Sequence, residues 1–280
     1  MSLPTLMDLV RRSTDYLANH GITNARRETE WIFAETLKLT RMDLYTRFDM
    51  PLEEHDVTRL RSLVQRRGRR EPLAYVLGTQ AFGELTLAVG PGVLVPRPET
   101  EELVAFALSR FPTETIIRVL DVGTGSGAIA LSIKHARPQW DVAGTDASTE
   151  ALVFARANGE RAGVAVRWHH GHLMRELPGP CDLVLANLPY IAENERAHCD
   201  PELAFEPQSA LFSGADGLDL IRELIADLPR LLAPQGEAIL EHGWNQGPAV
   251  RALADAGGFQ ADTIQDLGGK DRFAHLRRKV

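Results

Sequence analysis

The sequence predicts an α/β protein in which a small helical domain precedes a doubly wound, mostly parallel sheet of about seven strands. Residues 1–72 show apolar residues at helical spacing. From residue 116 onward, short apolar runs alternate with amphipathic helical segments. A glycine-rich turn, "GTGSG", follows the first of these runs, where doubly wound sheets bind their ligands.

The predicted N-terminal domain, residues 1–72, contains three clear helical segments. "TLMDLVRRSTDYLANHG" ends at Gly21, and "NARRETEWIFAETLKL" starts at the candidate N-cap Asn24. "LEEHDVTRLRSLVQRRGRR" has acidic residues near its start and basic residues near its end, as the helix dipole favours. Its arginines are either a solvated helix end or a surface for RNA or an acidic partner: Arg59, Arg61, Arg66, Arg67, Arg69 and Arg70.

Residues 73–95 are predicted to form a β-hairpin that links the two domains. "LAYVLGTQAFGELTLAV" alternates between apolar and other residues, and "GTQ" and "FGE" break the alternation as turns do. The larger domain then spans 96–280. It opens with a helix whose first turn carries Glu99, Glu101 and Glu102.

Within the larger domain the predicted strands are separated by helices until the C-terminus. These strands are 116–123, 140–146, 164–170, 181–187 and 236–243. The intervening helices are 126–136, 148–163, 217–232 and 247–258. Two further strands, 259–266 and 272–279, follow each other without a helix, so one of them is expected to run antiparallel.

Composition and charge exclude several classes of protein. The net charge is −7, with 13 Lys and Arg against 11 Asp and Glu in residues 1–80 and 18 against 27 in residues 81–280. This balance argues against a protein that coats nucleic acid. No apolar run reaches the roughly 18 residues that span a membrane, and the N-terminus is typical of an amphipathic helix rather than a signal peptide. With only Cys181 and Cys199, the sequence predicts a cytoplasmic protein.

The glycine-rich turn indicates an adenosyl ligand. It comprises Asp121, Gly123, Thr124, Gly125 and Gly127, and its spacing differs from that of dinucleotide-binding turns. The next strand ends in Asp146, a position from which a carboxylate can accept both hydroxyls of a ribose. The alternative is a tight strand–helix turn with a surface Asp.

These features resemble the S-adenosylmethionine-dependent methyltransferases, and the tetrapeptide "NLPY" at 187–190 resembles the Asn-Pro-Pro-Tyr of enzymes that methylate planar nitrogens. The segments "VLVPRPETEELV", "LDVGTGSGAIAL", "FEPQSALFSGADGLDLI" and "LEHGWNQGPAVRAL" are similar to the release-factor glutamine N5-methyltransferases, the PrmC/HemK family. The resemblance implies a seven-stranded Rossmann-like methyltransferase sheet. It also implies methyl transfer from S-adenosyl-L-methionine, with S-adenosyl-L-homocysteine as product, to the Gln of the Gly-Gly-Gln motif in class 1 release factors.

The tetrapeptide suits this chemistry. An amide nitrogen is a weak nucleophile that carries two N–H groups in one plane. Asn187 offers a side-chain oxygen and Leu188 a main-chain carbonyl to those two donors, while Tyr190 lies against the amide and Pro189 stiffens the loop. Alignment then provides much of the catalysis, and no strong base is required before attack.

The chain departs from the family pattern at two positions. Leu188 stands where proline is usual, although it keeps the carbonyl. Gly171 stands where an acidic residue usually meets the adenine, so we expect Gly171 to offer only its backbone and His172 or His170 to pack beside the base. Two histidines without a third ligand predict no metal site.

By resemblance, further residues are expected to line the pocket for donor and substrate: Phe82, Arg97 and Thr100. Glu206 and Pro207 follow a predicted substrate loop, and Glu241 and His242 are expected to be structural. Three alternatives remain open: a ribosomal-protein glutamine methyltransferase, an adenine N6-methyltransferase of rRNA or DNA, and a non-enzymatic ligand-binding protein. We expect a monomer that acts on release factors without direct contact with nucleic acid or membrane.

Overall fold

The computed structural model describes residues 4–173 and 180–279, and the chain divides into two compact units. The first unit comprises the chain up to Thr79 together with Asp200–Phe205. Its helices are α1 (Leu6–Asn19), α2 (Ala25–Leu37), α3 (Arg41–Thr46), α4 (Glu54–Gly68) and α5 (Leu73–Leu77), and Pro201–Phe205 adds a 3₁₀ helix.

Local signals explain the boundaries of these helices. The Thr5 hydroxyl accepts a hydrogen bond from the Asp8 N–H at the start of α1. After α1, Gly21 adopts a φ of 78°, the left-handed conformation that glycine tolerates best. Apolar side chains from all five helices then form one core, including the buried Leu6, Phe33 and Leu44.

The six arginines in and just after α4 match neither interpretation of the sequence, because three of them form ion pairs within this unit. Arg67 is buried and binds the carboxylates of Glu28 and Glu202, and Arg70 binds Glu202 as well. Arg66 binds Glu71. These three guanidinium groups are therefore committed to internal ion pairs rather than held ready for RNA.

The second unit contains a two-stranded and a seven-stranded sheet with helices around the latter. Its elements are β1 (Thr79–Phe82), β2 (Leu85–Ala88), α6 (Pro98–Ser109), β3 (Arg118–Val122), α7 (Ala128–Ala136), β4 (Asp141–Asp146), α8 (Thr149–Ala162), β5 (Arg167–His170), β6 (Cys181–Ala186), α9 (Asp219–Leu231), β7 (Leu232–Glu241), α10 (Gly247–Ala256), β8 (Phe259–Gln265) and β9 (Asp271–Arg278). Thr79, the first residue of β1, belongs to the first unit. Two further 3₁₀ helices are Glu193–His198 and Gln208–Ala210.

The strand order of the large sheet is β5-β4-β3-β6-β7-β9-β8. Strands β3 to β7 are parallel, whereas β9 runs antiparallel to both β7 and β8, which confirms the predicted C-terminal hairpin. The order reverses between β3 and β6, so the carboxyl ends of these strands form the switch point where such sheets bind ligands. The glycine-rich turn and the tetrapeptide therefore lie at adjacent strand ends.

Alternate side chains of the strands enter two separate cores, one on each face of the sheet. Val119 of β3 and Leu183 of β6 pack on the α7 side, and Leu120 and Val184 pack on the α9 side. Burial on both faces explains the continuous apolar runs of these strands.

The predicted hairpin at 73–95 is wrong in its first part. Leu73–Leu77 form α5, which Gly78 ends with a φ of 77°, and the two hairpin strands have four residues each. "LAYVL" is apolar throughout, so its periodicity cannot separate a strand from a helix. The boundary between the units falls at Thr79 rather than at residue 72, and Asp200–Phe205 joins the first unit, which the sequence did not predict. Of the helices described, none is long and apolar enough to cross a membrane.

Candidate active site

The glycine-rich turn leaves β3 with three residues in the left-handed region. Gly123, Gly125 and Gly127 have φ values of 72°, 55° and 84°, which other residues adopt only with strain. The Gly125 N–H donates to the Asp146 carboxylate at 2.8 Å, so the ends of β3 and β4 are tied together. A Cβ on Gly125 would meet no atom within 4 Å, which leaves open space beside the turn.

Asp121, in β3 just before this turn, is fully buried. Its Oδ2 accepts hydrogen bonds from the Thr124 hydroxyl and, at 3.1 Å, from the Ala130 N–H. Its Oδ1 is buried without a hydrogen-bond partner in the described part of the chain. Burial raises the pKa of Asp121 to about 7. An unpartnered buried carboxylate oxygen beside an open glycine turn fits a ligand that brings a positive charge.

Asp146 ends β4 next to the turn. One carboxylate oxygen accepts from Gly125, and the other accepts from the Ser148 N–H at 2.8 Å. Burial raises the pKa of this carboxyl group as well. Each oxygen retains a second acceptor position, so the geometry is compatible with the predicted contact to a ribose diol.

The tetrapeptide after β6 is held by a chain of side-chain hydrogen bonds. The Asn187 amide Nδ2 donates to the Thr100 hydroxyl at 2.9 Å, and that hydroxyl donates to Glu241 Oε2 at 2.7 Å. Tyr190 donates its phenol to the other oxygen of Glu241 at 3.3 Å. Thr100 and Glu241 are 3% and 1% exposed, so water does not compete for these bonds.

Backbone contacts fix the segment further. The Gln246 side chain donates to the Tyr190 carbonyl at 2.9 Å, and Ile191 pairs with Phe212 in an isolated bridge. By contrast, the Asn187 Oδ1 and the Leu188 main-chain carbonyl have no donor among the described residues. Two free acceptors therefore lie on a rigid segment at the switch point of the sheet.

Comparison with known proteins identifies the family. Residues 8–78 match the family "PrmC N-terminal domain", and residues 102–215 match "Methyltransferase small domain". A protein of Geobacter sulfurreducens named "Release factor glutamine methyltransferase" is 40% identical over 96% of this chain and 95% of its own length. One of the same name from Deinococcus radiodurans is 37% identical over 98% of both chains.

The chain belongs to the release factor glutamine methyltransferase family. It is a methyltransferase, and its methyl donor is S-adenosyl-L-methionine. The fold has the same character, since a methyltransferase from Pyrococcus furiosus superimposes with a TM-score of 0.55 at 19% identity over 76% of this chain and 97% of that one.

The Leu188 side chain points into the protein core. Leu188 is 4% exposed, and a Cβ built on Gly123 would lie 2.8 Å from Leu188 Cδ2. The leucine side chain therefore packs directly on the glycine-rich turn. The leucine side chain is thus occupied by packing, and a contact of the Leu188 main-chain carbonyl with the substrate remains a prediction.

After β5, the structure distinguishes Gly171 from the two histidines that the sequence places near the adenine. The Gly171 N–H donates to the Asp146 carbonyl at 3.0 Å, and a Cβ on Gly171 would meet open space. His172 instead pairs with Glu223 at 2.7 Å, and His170 bonds the Ala147 carbonyl at 3.0 Å. Gly171 thus stays a candidate for the adenine site, whereas neither histidine ring is free of a protein partner.

The remaining predicted pocket residues are fixed by the protein itself. Phe82 is 1% exposed within the core beside Leu87. Arg97 donates to Glu206 at 2.6 Å, and Glu206 also accepts from the Val95 N–H at 2.8 Å. Contacts of Phe82, Arg97 and Thr100 with the donor therefore remain predictions.

Glu241, which the sequence assigns to a structural role, is also a candidate for function. Its side chain connects Thr100 to Tyr190, and burial raises its pKa to about 7. The sequence feature that points to such a function is the position of Glu241 at the carboxyl end of β7. This strand end lies beside the end of β6, which precedes the tetrapeptide. A buried acid at the ligand edge of a doubly wound sheet is a functional candidate.

Proposed function

We propose that this chain methylates the side-chain amide nitrogen, N5, of the Gln in the Gly-Gly-Gln motif of class 1 peptide release factors. The observation that carries the proposal is the pair of free acceptors, Asn187 Oδ1 and the Leu188 carbonyl, beside the glycine-rich turn. Relatives that share almost the whole chain carry the name "Release factor glutamine methyltransferase", which supports a glutamine of a release factor as the substrate.

The two acceptors suit a primary amide because it carries two N–H donors in one plane. With both N–H groups bound, the nitrogen is held in a single orientation. The bound donor supplies a methyl group that is activated by a sulfonium. Fixed acceptors lower the barrier mainly by alignment, since no reorganisation of the site is needed when the reaction occurs.

The part of the site predicted to bind S-adenosyl-L-methionine has groups that suit its ammonium and ribose. The unpartnered Oδ1 of Asp121 can accept from an ammonium group, and Asp146 can accept from ribose hydroxyls. Methylation leaves an extra proton on the nitrogen. A methylated, protonated amide is strongly acidic, so it loses that proton without a strong base in the site.

The charge of the chain favours a protein substrate. Residues 81–280 carry 18 basic against 27 acidic residues, a balance that opposes binding of rRNA or DNA. We therefore infer that the chain acts on release factor without direct contact with nucleic acid. We also propose that it does so as a monomer in the cytoplasm. Ribosomal protein and rRNA serve as the competing substrates in its test.

The experiment measures transfer of labelled methyl groups to purified release factor, ribosomal protein and rRNA. A release factor in which the Gly-Gly-Gln glutamine is replaced by alanine is the matched control. We expect label in the intact release factor only. Label in rRNA or ribosomal protein but not in release factor would refute the proposal.

For the helical domain, residues 1–72, we propose recognition of the release factor away from the reacting glutamine. The first unit exposes the large apolar side chains of Met42 and Phe48, at 71% and 57%. Replacing both with serine should raise KM for whole release factor but leave KM for a short Gly-Gly-Gln peptide unchanged. Equal effects on both substrates would remove this surface from recognition.

A further inference from the structure

We propose that Thr100 and Glu241 are positioning residues, which set the direction of a hydrogen-bond chain and so keep the Asn187 amide oxygen facing the reacting nitrogen. This inference rests on the proposed function, because it concerns how that reaction's acceptor is oriented. It assigns a purpose to a buried threonine and a buried glutamate that neither the glycine-rich turn nor the tetrapeptide explains.

The argument begins with the amide of Asn187, whose oxygen and nitrogen are almost identical in shape. An asparagine can present either atom to a ligand, and the choice depends on its hydrogen-bond partners. If Nδ2 faced the substrate, its N–H groups would meet the N–H groups of the glutamine amide. Productive binding therefore requires that the protein hold Nδ2 away from the substrate.

The hydroxyl of Thr100 provides that restraint. It has one proton, and an ionised Glu241 can only accept. The proton therefore points to Glu241 Oε2, 2.7 Å away, and a lone pair of the hydroxyl faces Asn187. Only the amide N–H can bind this lone pair, and the structure accordingly places Asn187 Nδ2 2.9 Å from the hydroxyl. Asn187 Oδ1 is then directed away from Thr100.

A proton on Glu241 would allow the opposite arrangement. The carboxylic acid could donate to Thr100, and Thr100 could then donate to Asn187 Oδ1. The amide would be flipped, with its N–H groups towards the substrate. The ionised Glu241 carboxylate, at the end of the hydrogen-bond chain, thus selects the productive orientation of the Asn187 amide through Thr100.

The groups around Glu241 determine the pH at which its carboxylate, and with it the orientation of Asn187, changes. Burial raises the pKa of Glu241 to about 7, and Glu99 on α6 acts in the same direction. Hydrogen bonds from Thr100 and Tyr190 and the positive charge of Arg272 on β9 oppose this rise. Since the carboxylate is the productive form, kcat should increase with pH through this range.

The first test compares two substitutions at one position. Thr100→Val keeps the shape of threonine without its hydroxyl, whereas Thr100→Ser keeps the hydroxyl. We expect the valine variant to lose about tenfold in kcat at saturating donor, the scale of one buried hydrogen bond, and the serine variant to stay near wild type. Equal kcat for the two variants would overturn the proposal.

A double-mutant cycle separates positioning from general stability. If Thr100 acts through Asn187, Thr100→Val should have no further effect on kcat in an Asn187→Ala background. The same loss in both backgrounds would show a role independent of the amide. Glu241→Gln, which cannot ionise, should abolish the rise of kcat with pH at saturating donor and release factor. Persistence of the rise would exclude Glu241 as its source.

A further readout does not depend on the release factor. The side-chain NH₂ signals of Asn187, assigned by their loss in Asn187→Ala, should shift with pH near 7 in the wild-type protein. They should stop shifting in Thr100→Val and Glu241→Gln. If release factor is not methylated but the shift behaves in this way, the proposed substrate fails while the positioning chain stands. If the Asn187 signals change neither with pH nor in the two variants, the proposed hydrogen-bond chain is refuted.

Discussion

The two halves of the candidate active site, one predicted to hold the methyl donor and one the substrate amide, are constructed differently. At the ends of β3 and β4, main-chain N–H groups bind the carboxylates of Asp121 and Asp146 within one short stretch of chain. Around the tetrapeptide, side chains from three distant segments bind one another, and Thr100 and Glu241 are 141 residues apart. The donor half therefore depends on local backbone geometry, whereas the acceptor half depends on the tertiary fold. Substitutions should separate the two halves by whether they alter donor affinity or kcat.

The largest effect is expected from Asn187→Ala. Losing one fixed acceptor at the reacting nitrogen should lower kcat by about 10²–10³, by analogy with the loss of an oxyanion-hole donor. Donor affinity, measured by calorimetry, should stay near the wild-type value because Asn187 belongs to the acceptor half. A variant that loses stability, donor binding and activity together would mean that the tetrapeptide is only structural.

Asp146→Ala should show the opposite pattern. If Asp146 accepts from the ribose of the methyl donor, removing its carboxylate should weaken donor binding by about 1.5–3 kcal/mol, with a smaller change in kcat at saturating donor. Asp141→Ala is the matched control, since Asp141 lies at the other end of β4 and pairs with Arg167 at the surface. Calorimetry that gives both variants wild-type affinity would remove Asp146 from the site.

Asp121→Asn should alter how the affinity for the methyl donor depends on pH. Burial raises the pKa of Asp121 to about 7, so the free wild-type protein gains the carboxylate, and with it donor affinity, as pH rises through that value. The substituted amide cannot ionise, so this variant should bind the donor about tenfold more weakly at alkaline pH and show little pH dependence. Calorimetric measurements of donor affinity across a range of pH, made on the wild-type protein and on Asp121→Asn, test this difference. A wild-type affinity that does not change with pH would contradict it.

The smallest effect is expected from Leu188→Pro, where the two halves touch. The carbonyl is retained, so kcat should change by no more than about threefold. The buried leucine side chain is shortened against Gly123, so thermal unfolding should show a loss of about 1–2 kcal/mol. A folded, donor-binding but inactive variant would contradict a main-chain role for position 188.

The same contrast explains what the sequence could predict. Asp121, the glycines and "NLPY" are contiguous patterns, so the sequence could predict them as site residues. The order of strands and helices follows from local periodicity, and the structure confirms it. Glu241 was assigned to structure because its partners, Thr100 and Tyr190, are far away in the chain. The Arg97–Glu206 pair, 109 residues apart, was missed for the same reason. "LAYVL" was misread because a short, wholly apolar run lacks a period.

Asp200–Phe205 has a consequence for synthesis of the chain. Arg67, buried in the first unit, pairs with Glu28 from its own neighbourhood and with Glu202, which is 135 residues away. A ribosome that has produced only the five N-terminal helices has not yet made the second carboxylate. We therefore expect this unit to emerge early but to reach its final stability only after the segment at 200–205 has left the exit tunnel.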